Sequence, residues 1–181
     1  VIYFDCFSGI SGDMILGALV SLGVDIKEIQ NCLKSLNLKG CKLNSRKVKR
    51  NGLVSTKVNV VLNQTSQKSY GARSFNDIKS LIEKSDLPKI VKFNSISIFQ
   101  HIAKVEAKVH GTTINKIHFH EVGAIDSIID IVGGSLAVNL LDADLIISSP
   151  INTGEGVVKC DHGILPVPAP ATLELLKGIP C

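Results

Sequence analysis

The sequence predicts an α+β fold: a single compact domain that combines a small mixed sheet with several helices. Helical periodicity dominates the middle of the chain, and short segments typical of strands lie on both sides of it. The two kinds of element do not alternate regularly, which argues against a doubly wound parallel sheet. With 181 residues, 45% hydrophobic and 20% charged, the chain has the composition of one globular domain covering 1–181.

The N-terminal part of the chain predicts a strand, two helices and a hairpin. Val1 to Phe4 is expected to be a buried strand, and helices are expected from Met14 to Leu22 and from Ile26 to Leu36. Residues 41–50 and 53–62 predict a β-hairpin around the turn pair Asn51-Gly52. Four basic residues in the run SRKVKR at 45–50 indicate either a solvated hairpin tip or a surface for polyanions such as nucleotide phosphates.

The remainder of the chain is mainly helical. On the long helix, Ile98, Ile102, Val105 and Val109 are expected to form the apolar face. Leu145 to Ser149 is expected to be a buried strand that ends at Pro150. Helices are expected at residues 75–84, 89–110, 124–141 and 171–177, and further extended segments at 116–120 and 156–160.

Composition excludes several classes of function. Aromatic residues make up 4% of the chain and Trp is absent, so a stacking platform for a nucleic acid polymer is poorly supported. The sequence contains no secretory signal and no apolar run long enough to span a membrane. Five cysteines without CxxC spacing suggest a cytoplasmic protein with reduced thiols. The end at Gly178-Ile179-Pro180-Cys181, directly after a helix, suggests a cut in a longer protein.

The first candidate site is the turn between the first strand and the first helix. Glycines let a backbone approach a ligand closely, and a helix start offers free N–H groups to an anion. Carboxylates at both ends of the turn would suit a bridging cation. The alternative is a capped connection without a ligand. The residues concerned are Asp5, Ser8, Gly9, Ser11, Gly12 and Asp13.

A second candidate site combines an HxH motif with an acidic helix. In an extended segment His118 and His120 point the same way, and imidazole suits nickel, zinc or copper. Glu121 follows directly, and Asp126 and Asp130 lie on one face of the next helix. Carboxylates on so apolar a helix are costly to bury unless they are paired or bound to a metal. The alternative is that they face a polar groove or cap neighbouring backbone.

The third candidate is His162, which precedes the prolines at 166, 168 and 170. Restricted backbone lowers the entropic cost of a binding site, although the same segment could be a rigid crossover without a ligand. No nucleophile elbow and no Walker-type phosphate loop occurs in the sequence.

Together, three long segments resemble the nickel insertion proteins of nickel-pincer nucleotide biosynthesis, which mature the cofactor of lactate racemase. The segments are DCFSGISGDMILGAL at 5–19, KVHGTTINKIHFHEVGAIDSIIDIVG at 108–133 and HGILPVPAPATLELLKGIP at 162–180. The resemblance implies an enzyme, a nickel chelatase of the lyase class. It would insert Ni(II) into pyridinium-3,5-bisthiocarboxylic acid mononucleotide, using CTP with Mn(II) or Mg(II).

The resemblance also implies that 1–181 is the N-terminal domain of such a protein, and that a C-terminal domain linked to CTP is absent. The full-length form is expected to be a homo-oligomer. His118, His120 and Glu121 would receive nickel, with Asp126 and Asp130 as ligands or as groups that orient the imidazoles. The 8–13 turn would hold the phosphate of the precursor, and Asp5 or Asp13 a magnesium-like ion. His162 would remove the ring proton.

Two other classes of function remain open at this stage. The chain could be a metal-dependent hydrolase, with the HxH motif and a downstream aspartate as a zinc or manganese site. It could instead be a non-catalytic module that binds metal or precursor and assembles with the missing half. Each arrangement requires the imidazole pair, the acidic helix and the serine–glycine turn to line a common cleft.

Overall fold

The computed structural model describes residues 1–38, 40–62, 73–119, 125–160 and 163–181. Within these ranges, helices and small sheets form a mixed arrangement, which confirms the predicted α+β fold. The helices are α1 Gly12–Ser21, α2 Ile26–Leu33, α3 Phe75–Glu83, α4 Lys89–Val109, α5 Ile125–Leu140 and α6 Pro170–Leu175. In this part of the chain, no helix is both long and apolar enough to cross a bilayer.

Eight strands in the described ranges form four two-stranded sheets. β1 pairs in parallel with β6, whereas the pairs β2–β3, β4–β5 and β7–β8 are antiparallel. The strands are β1 Ile2–Phe4, β2 Cys41–Arg50, β3 Leu53–Leu62, β4 Arg73–Ser74, β5 His118–Phe119, β6 Ile146–Ser148, β7 Val157–Cys160 and β8 Gly163–Pro166.

The β2–β3 hairpin confirms the prediction from the turn pair. Asn51 has φ +48° and Gly52 has φ +84°, the two left-handed conformations that a tight hairpin turn matching the strand twist requires. Arg50 pairs with Leu53, and the register continues to the pair Cys41 and Leu62. The basic run therefore lies on β2.

Helix α1 lies against both strand β3 and helix α5. Its Leu16 and Leu19 side chains are fully buried. A Cβ atom on Gly17 would lie 2.5 Å from the backbone oxygen of Thr56, so only glycine permits this approach of helix to strand. On the other side, Leu16 packs against Gly133 of α5.

The predicted apolar face of the long helix was wrong in its position. Ile98 and Val109 are 41% and 44% exposed. The buried positions follow an i, i+4 row that includes the small side chains of Ser95, Ala103 and Ala107; its other members are Val91 and Phe99. A prediction from hydrophobic periodicity overlooks small residues such as serine and alanine. Close packing between helices nevertheless favours small residues at the contact. The contacts of α4 with α3, α5 and α6 therefore determine which row of side chains is buried.

The predicted buried strand at 145–149 is also corrected. β6 is exposed along its length, with Ile146 48% and Ile147 44% exposed. Its described sheet partner is β1, which buries Ile2 but leaves Tyr3 59% exposed. Among the described residues, none after Ala137 is buried. An apolar run predicts a strand, but tertiary contacts decide whether it is covered.

The C-terminal part contains a strand that the sequence did not indicate. β8 pairs with β7, Cys160 lying opposite Gly163 and Val157 opposite Pro166. The prolines suggested a rigid connection instead, since proline cannot donate to a sheet ladder. Pro166 is the last residue of this short two-stranded sheet, where a missing donor is tolerated.

Candidate functional site

The turn after β1 is held by the segment that follows β6. Within the turn, the Gly9 N–H donates to the Cys6 carbonyl at 3.0 Å. Across the chain, the Cys6 N–H donates to Ser149 Oγ at 2.7 Å, and Asn152 Nδ2 donates to the Phe7 carbonyl at 2.8 Å. Gly9 has φ +88°, a conformation that favours glycine. The shape of the turn is therefore fixed by hydrogen bonds to residues more than 140 positions away in the sequence.

Ser11 occupies the N-cap position of α1, but its side chain does not cap a backbone N–H. The hydroxyl donates to the carboxylate of Asp13 in the first helical turn. Asp5, Ser8 and Ser11 are exposed. The hydroxyls predicted to bind phosphate are thus presented at the surface beside the start of a helix.

The acidic helix α5 makes a close contact with this turn at Gly12. A Cβ atom added to Gly12 would lie 2.3 Å from the Cβ of Asp130 and 2.7 Å from its Oδ2. Only a residue without a side chain can stand at position 12 while Asp130 keeps its place. The structure therefore brings together the first candidate segment and the acidic part of the second.

The environment of Asp130 is costly for a carboxylate. Its Oδ1 is buried and has no hydrogen-bond partner. Burial, together with the smaller contributions of the charges of Asp13 and Asp126, raises the pKa of Asp130 to about 6. At neutral pH this carboxylate is an anion with an unsatisfied oxygen, and a cation or a proton would relieve its unfavourable desolvation.

Asp126 stands one helical turn earlier and is exposed. Its Oδ1 accepts a hydrogen bond from the Ser127 N–H at 2.9 Å. Among the residues that the structure describes, no three His, Cys, Asp or Glu side chains form a group able to hold a metal. Asp13, Asp126 and Asp130 thus interact electrostatically, but the described side chains do not form a complete coordination shell for a metal.

His118 lies on strand β5 and is exposed, while the neighbouring Phe119 is buried against Phe99 with ring centroids 6.3 Å apart. The residue that pairs with His118 on the neighbouring strand β4 is Ser74, the residue before α3. Ser74 and Asp77 form a capping box, in which each side chain accepts a backbone N–H of the other residue. This buried ring and cap hold β5 in position.

The pKa of Asp77 is lowered, mainly by the hydrogen bonds from Ser74 and to a smaller extent by the charges of His118 and Arg73. His118 therefore has a carboxylate in its electrostatic neighbourhood. His118 also lines a groove with His110 of the α4 C-terminus and with Lys159 and Cys160 of the β7–β8 pair. None of the aspartates near Gly12 lines that groove.

The other predicted site residues, His120, Glu121 and His162, lie outside the described residues. Their assignment stays a prediction, as does the single cleft that would unite the histidines with the acidic helix. The structure does join the turn to α5 and places His118 in a groove of its own.

Two residues that shape the site were missed by the sequence analysis. Ser149 and Asn152 hold the 5–9 turn, yet neither lies in a recognisable motif. A signal for them existed in the topology. β1 and β6 are parallel, and the segments after parallel strands meet at the same sheet edge. The sequence did not show that these two strands pair.

Comparison with known proteins shows that the chain is similar to one family. The family model described as "Nickel insertion protein" matches residues 2–181. A relative from Geobacillus kaustophilus is 47% identical over 99% of this chain and 45% of its own length, and one from Desulfitobacterium hafniense is 48% identical over 98% and 43%. Both are named pyridinium-3,5-bisthiocarboxylic acid mononucleotide nickel insertion protein.

A third relative, from Acetivibrio thermocellus, bears the same name and is 47% identical over 98% of the chain and 45% of its own length. The chain therefore spans about half the length of the curated relatives it matches. No solved structure matches it.

Proposed function

The chain belongs to the nickel insertion protein family, and on this premise we propose that it binds Ni(II) and the pyridinium precursor for the reaction that its relatives' names describe. The reaction would insert Ni(II) into pyridinium-3,5-bisthiocarboxylic acid mononucleotide, forming a carbon–nickel bond. The protein would act as a nickel chelatase of the lyase class. The chain would form the N-terminal domain, and a further domain would couple the reaction to CTP.

The observation that supports the proposal best is the contact between Gly12 and Asp130. It joins the glycine turn to the acidic helix and leaves Asp130 Oδ1 buried without a partner. An unsatisfied buried carboxylate oxygen requires a protein-specific explanation. A divalent cation bound beside it offers one, because a metal compensates both its charge and its lost hydration.

We assign nickel binding to His118, His120 and Glu121, with Asp126 and Asp130 as further ligands or as groups that orient the imidazoles. Neutral imidazole nitrogen is a good ligand for nickel, and the order of affinities places nickel above manganese and iron. A nickel ion that must be passed on benefits from an incomplete protein shell. The exposed position of His118 is compatible with that requirement.

The turn residues Ser8, Gly9, Ser11 and Gly12 would hold the phosphate of the precursor, since hydroxyls and helix N–H groups bind anions. Asp5 or Asp13 would hold the Mn(II) or Mg(II) that accompanies CTP in the whole protein. The carboxylate oxygens here fit such hard cations, and the unpartnered Asp130 Oδ1 shows unfilled acceptor capacity beside Asp13. Bound there, the ion would neutralise phosphate charge.

For His162 we propose the role of general base, which would take the ring proton as the carbon–nickel bond forms. An imidazole is suited to this because its ordinary pKa lies close to neutral pH. We also propose that the protein acts in the cytoplasm, where its thiols would stay reduced.

Nickel titration of the purified chain tests the proposal. We expect stoichiometric uptake by calorimetry, lost in His118→Ala and in His120→Ala, and weakened roughly 10- to 100-fold in Asp130→Asn. His101→Ala is the matched control, because His101 is an exposed imidazole within α4, and it should bind nickel like the unchanged chain. Circular dichroism would confirm that each variant is folded.

The outcomes separate the three classes of function. Unchanged uptake in both histidine variants would refute the assignment of nickel binding to the HxH motif. Hydrolysis of a simple ester or phosphoester in the presence of zinc would support the metal-dependent hydrolase. Failure to bind any metal would favour a non-catalytic assembly module.

A further inference from the structure

The groove beside His118 is large enough for a small molecule. It lies between the C-terminal end of α4, strand β5, the β7–β8 pair and the beginning of α6. Its volume is about 490 Å³, within the range of small-molecule sites, roughly 300–1,000 Å³. Five separate elements contribute side chains, so the groove exists only in the folded chain.

The lining combines apolar walls with a few convergent polar groups. Val109, Phe119 and Leu165 supply apolar surface, whereas Lys159, His118 and Thr172 supply polar atoms. Ligand sites for flat organic molecules typically have this composition, the apolar surface covering the ring and the polar groups fixing its orientation.

The groove offers an exposed lysine to an anionic group of a ligand. Glu106 is the acidic residue among those that line it, and its carboxylate lies 3.4 Å from Nε2 of His110. Lys159 is exposed and needs no buried partner. Its ammonium group can therefore pair with a negative group of a bound ligand.

The wall formed by α6 is fastened to α4. Glu174 of α6 accepts hydrogen bonds from Lys108 of α4 and from Lys177, the latter at 2.6 Å. These two lysines lower the pKa of Glu174, the Lys108 hydrogen bond contributing most. The contact orients α6, and a preformed wall reduces the ordering cost of binding.

We infer that this groove binds the pyridinium ring of the precursor, with one of the ring's thiocarboxylate groups paired to Lys159. The ring would lie against the apolar walls, and its sulfur donors would face the side of the groove that carries His118. This inference rests on the proposed function for the identity of the ligand. It adds the place where the ring sits, next to an imidazole that we assign to nickel.

Binding of the nickel-free precursor, measured by calorimetry at low salt, tests the inference. We expect Lys159→Ala to weaken binding about tenfold or more, because a charge-assisted pair would be lost. Lys159→Arg should retain most of the affinity. Lys104→Ala removes an exposed lysine of α4 outside the groove and should leave the affinity unchanged.

A second variant blocks the groove without altering charge. Ala171→Phe places a large side chain on the first turn of α6, where Ala171 lines the groove, and should abolish binding of the ring. Nickel titration of the same preparations should give the same stoichiometry as the unchanged chain. That result would separate loss of the ring site from loss of the metal site.

Equal precursor affinity in Lys159→Ala, Ala171→Phe and the unchanged chain would overturn the groove assignment while leaving the proposed function intact. An unchanged chain that binds nickel but not the precursor would also overturn it. An unchanged chain that binds neither would refute the proposed function itself.

Discussion

Two regions of the molecule carry the candidate chemistry, and they are built in opposite ways. At the junction of α1 and α5, a glycine and an aspartate stand in van der Waals contact and a carboxylate oxygen is buried. At the groove beside His118, side chains from five elements surround open space, and Lys159 is exposed. The first region depends on packing, so changes there should alter stability and metal binding together. The second depends on surface groups, so changes there should alter the binding of nickel or of the precursor, with a smaller effect on stability.

The largest effect is expected at the junction, from Gly12→Ala. The new Cβ would lie 2.3 Å from Asp130 Cβ, an atom attached to the backbone that cannot swing aside. Helices α1 and α5 would have to move apart, and overpacking of this kind costs about 3 kcal/mol of unfolding free energy. Urea denaturation measures the loss.

Gly134→Ala is the matched control, because it adds the same methyl group to α5 where space exists. Its Cβ would lie 3.8 Å from Ile15 Cγ2, an ordinary contact. Alanine also favours the helix over glycine, so stability should stay equal or rise. Equal stability of Gly12→Ala and Gly134→Ala would contradict the close contact at the junction.

The next effect concerns the charge at the same junction. With its pKa raised to about 6, folded Asp130 retains a proton between about pH 4 and 6 that the unfolded chain has released. Stability of the metal-free protein should therefore fall as the pH rises through that window, and then level off. Asp130→Asn should remove this dependence and stabilise the fold by on the order of 2 kcal/mol above pH 7.

Denaturation in the presence of EDTA at a series of pH values measures this difference. Asp86→Asn serves as the control, because Asp86 is an exposed carboxyl between α3 and α4. Its stability profile should follow that of the unchanged chain. A profile for Asp130→Asn parallel to that of the unchanged chain would show that Asp130 is not the group whose pKa is raised.

The contrast between the two regions also explains what the sequence could predict. Local signals were sufficient where a few neighbouring residues decide the structure. Asn51-Gly52 predicted the hairpin because two consecutive positive φ angles are required at those positions. The spacing of Asp126 and Asp130 on α5 likewise predicted Asp130 as a site residue, because a carboxylate among apolar neighbours is unusual.

Long-range contacts set the limit of prediction. Sequence periodicity indicated a helix over α4 but not which row of it neighbouring helices would bury, and it could not show that β6 would remain exposed. The Gly12–Asp130 contact joins residues 118 positions apart in the chain. Ser149 and Asn152 became relevant only because β1 and β6 pair. Each of these features arises from packing between two segments, and neither segment's sequence indicates that it will contact the other.

The smallest effect is expected beside the groove, from Ser74→Ala. Ser74 caps α3 and pairs with His118 on β5. Loss of its hydroxyl should cost about 1 kcal/mol of unfolding free energy. The pKa of Asp77, lowered mainly by Ser74, should move up toward its usual value, and an NMR titration would follow it. Ser80→Ala, an exposed position within α3, is the control and should change neither quantity. If Ser74→Ala were as destabilising as Gly12→Ala, the groove would depend on packing as much as the junction does, and the contrast between the two regions would fail.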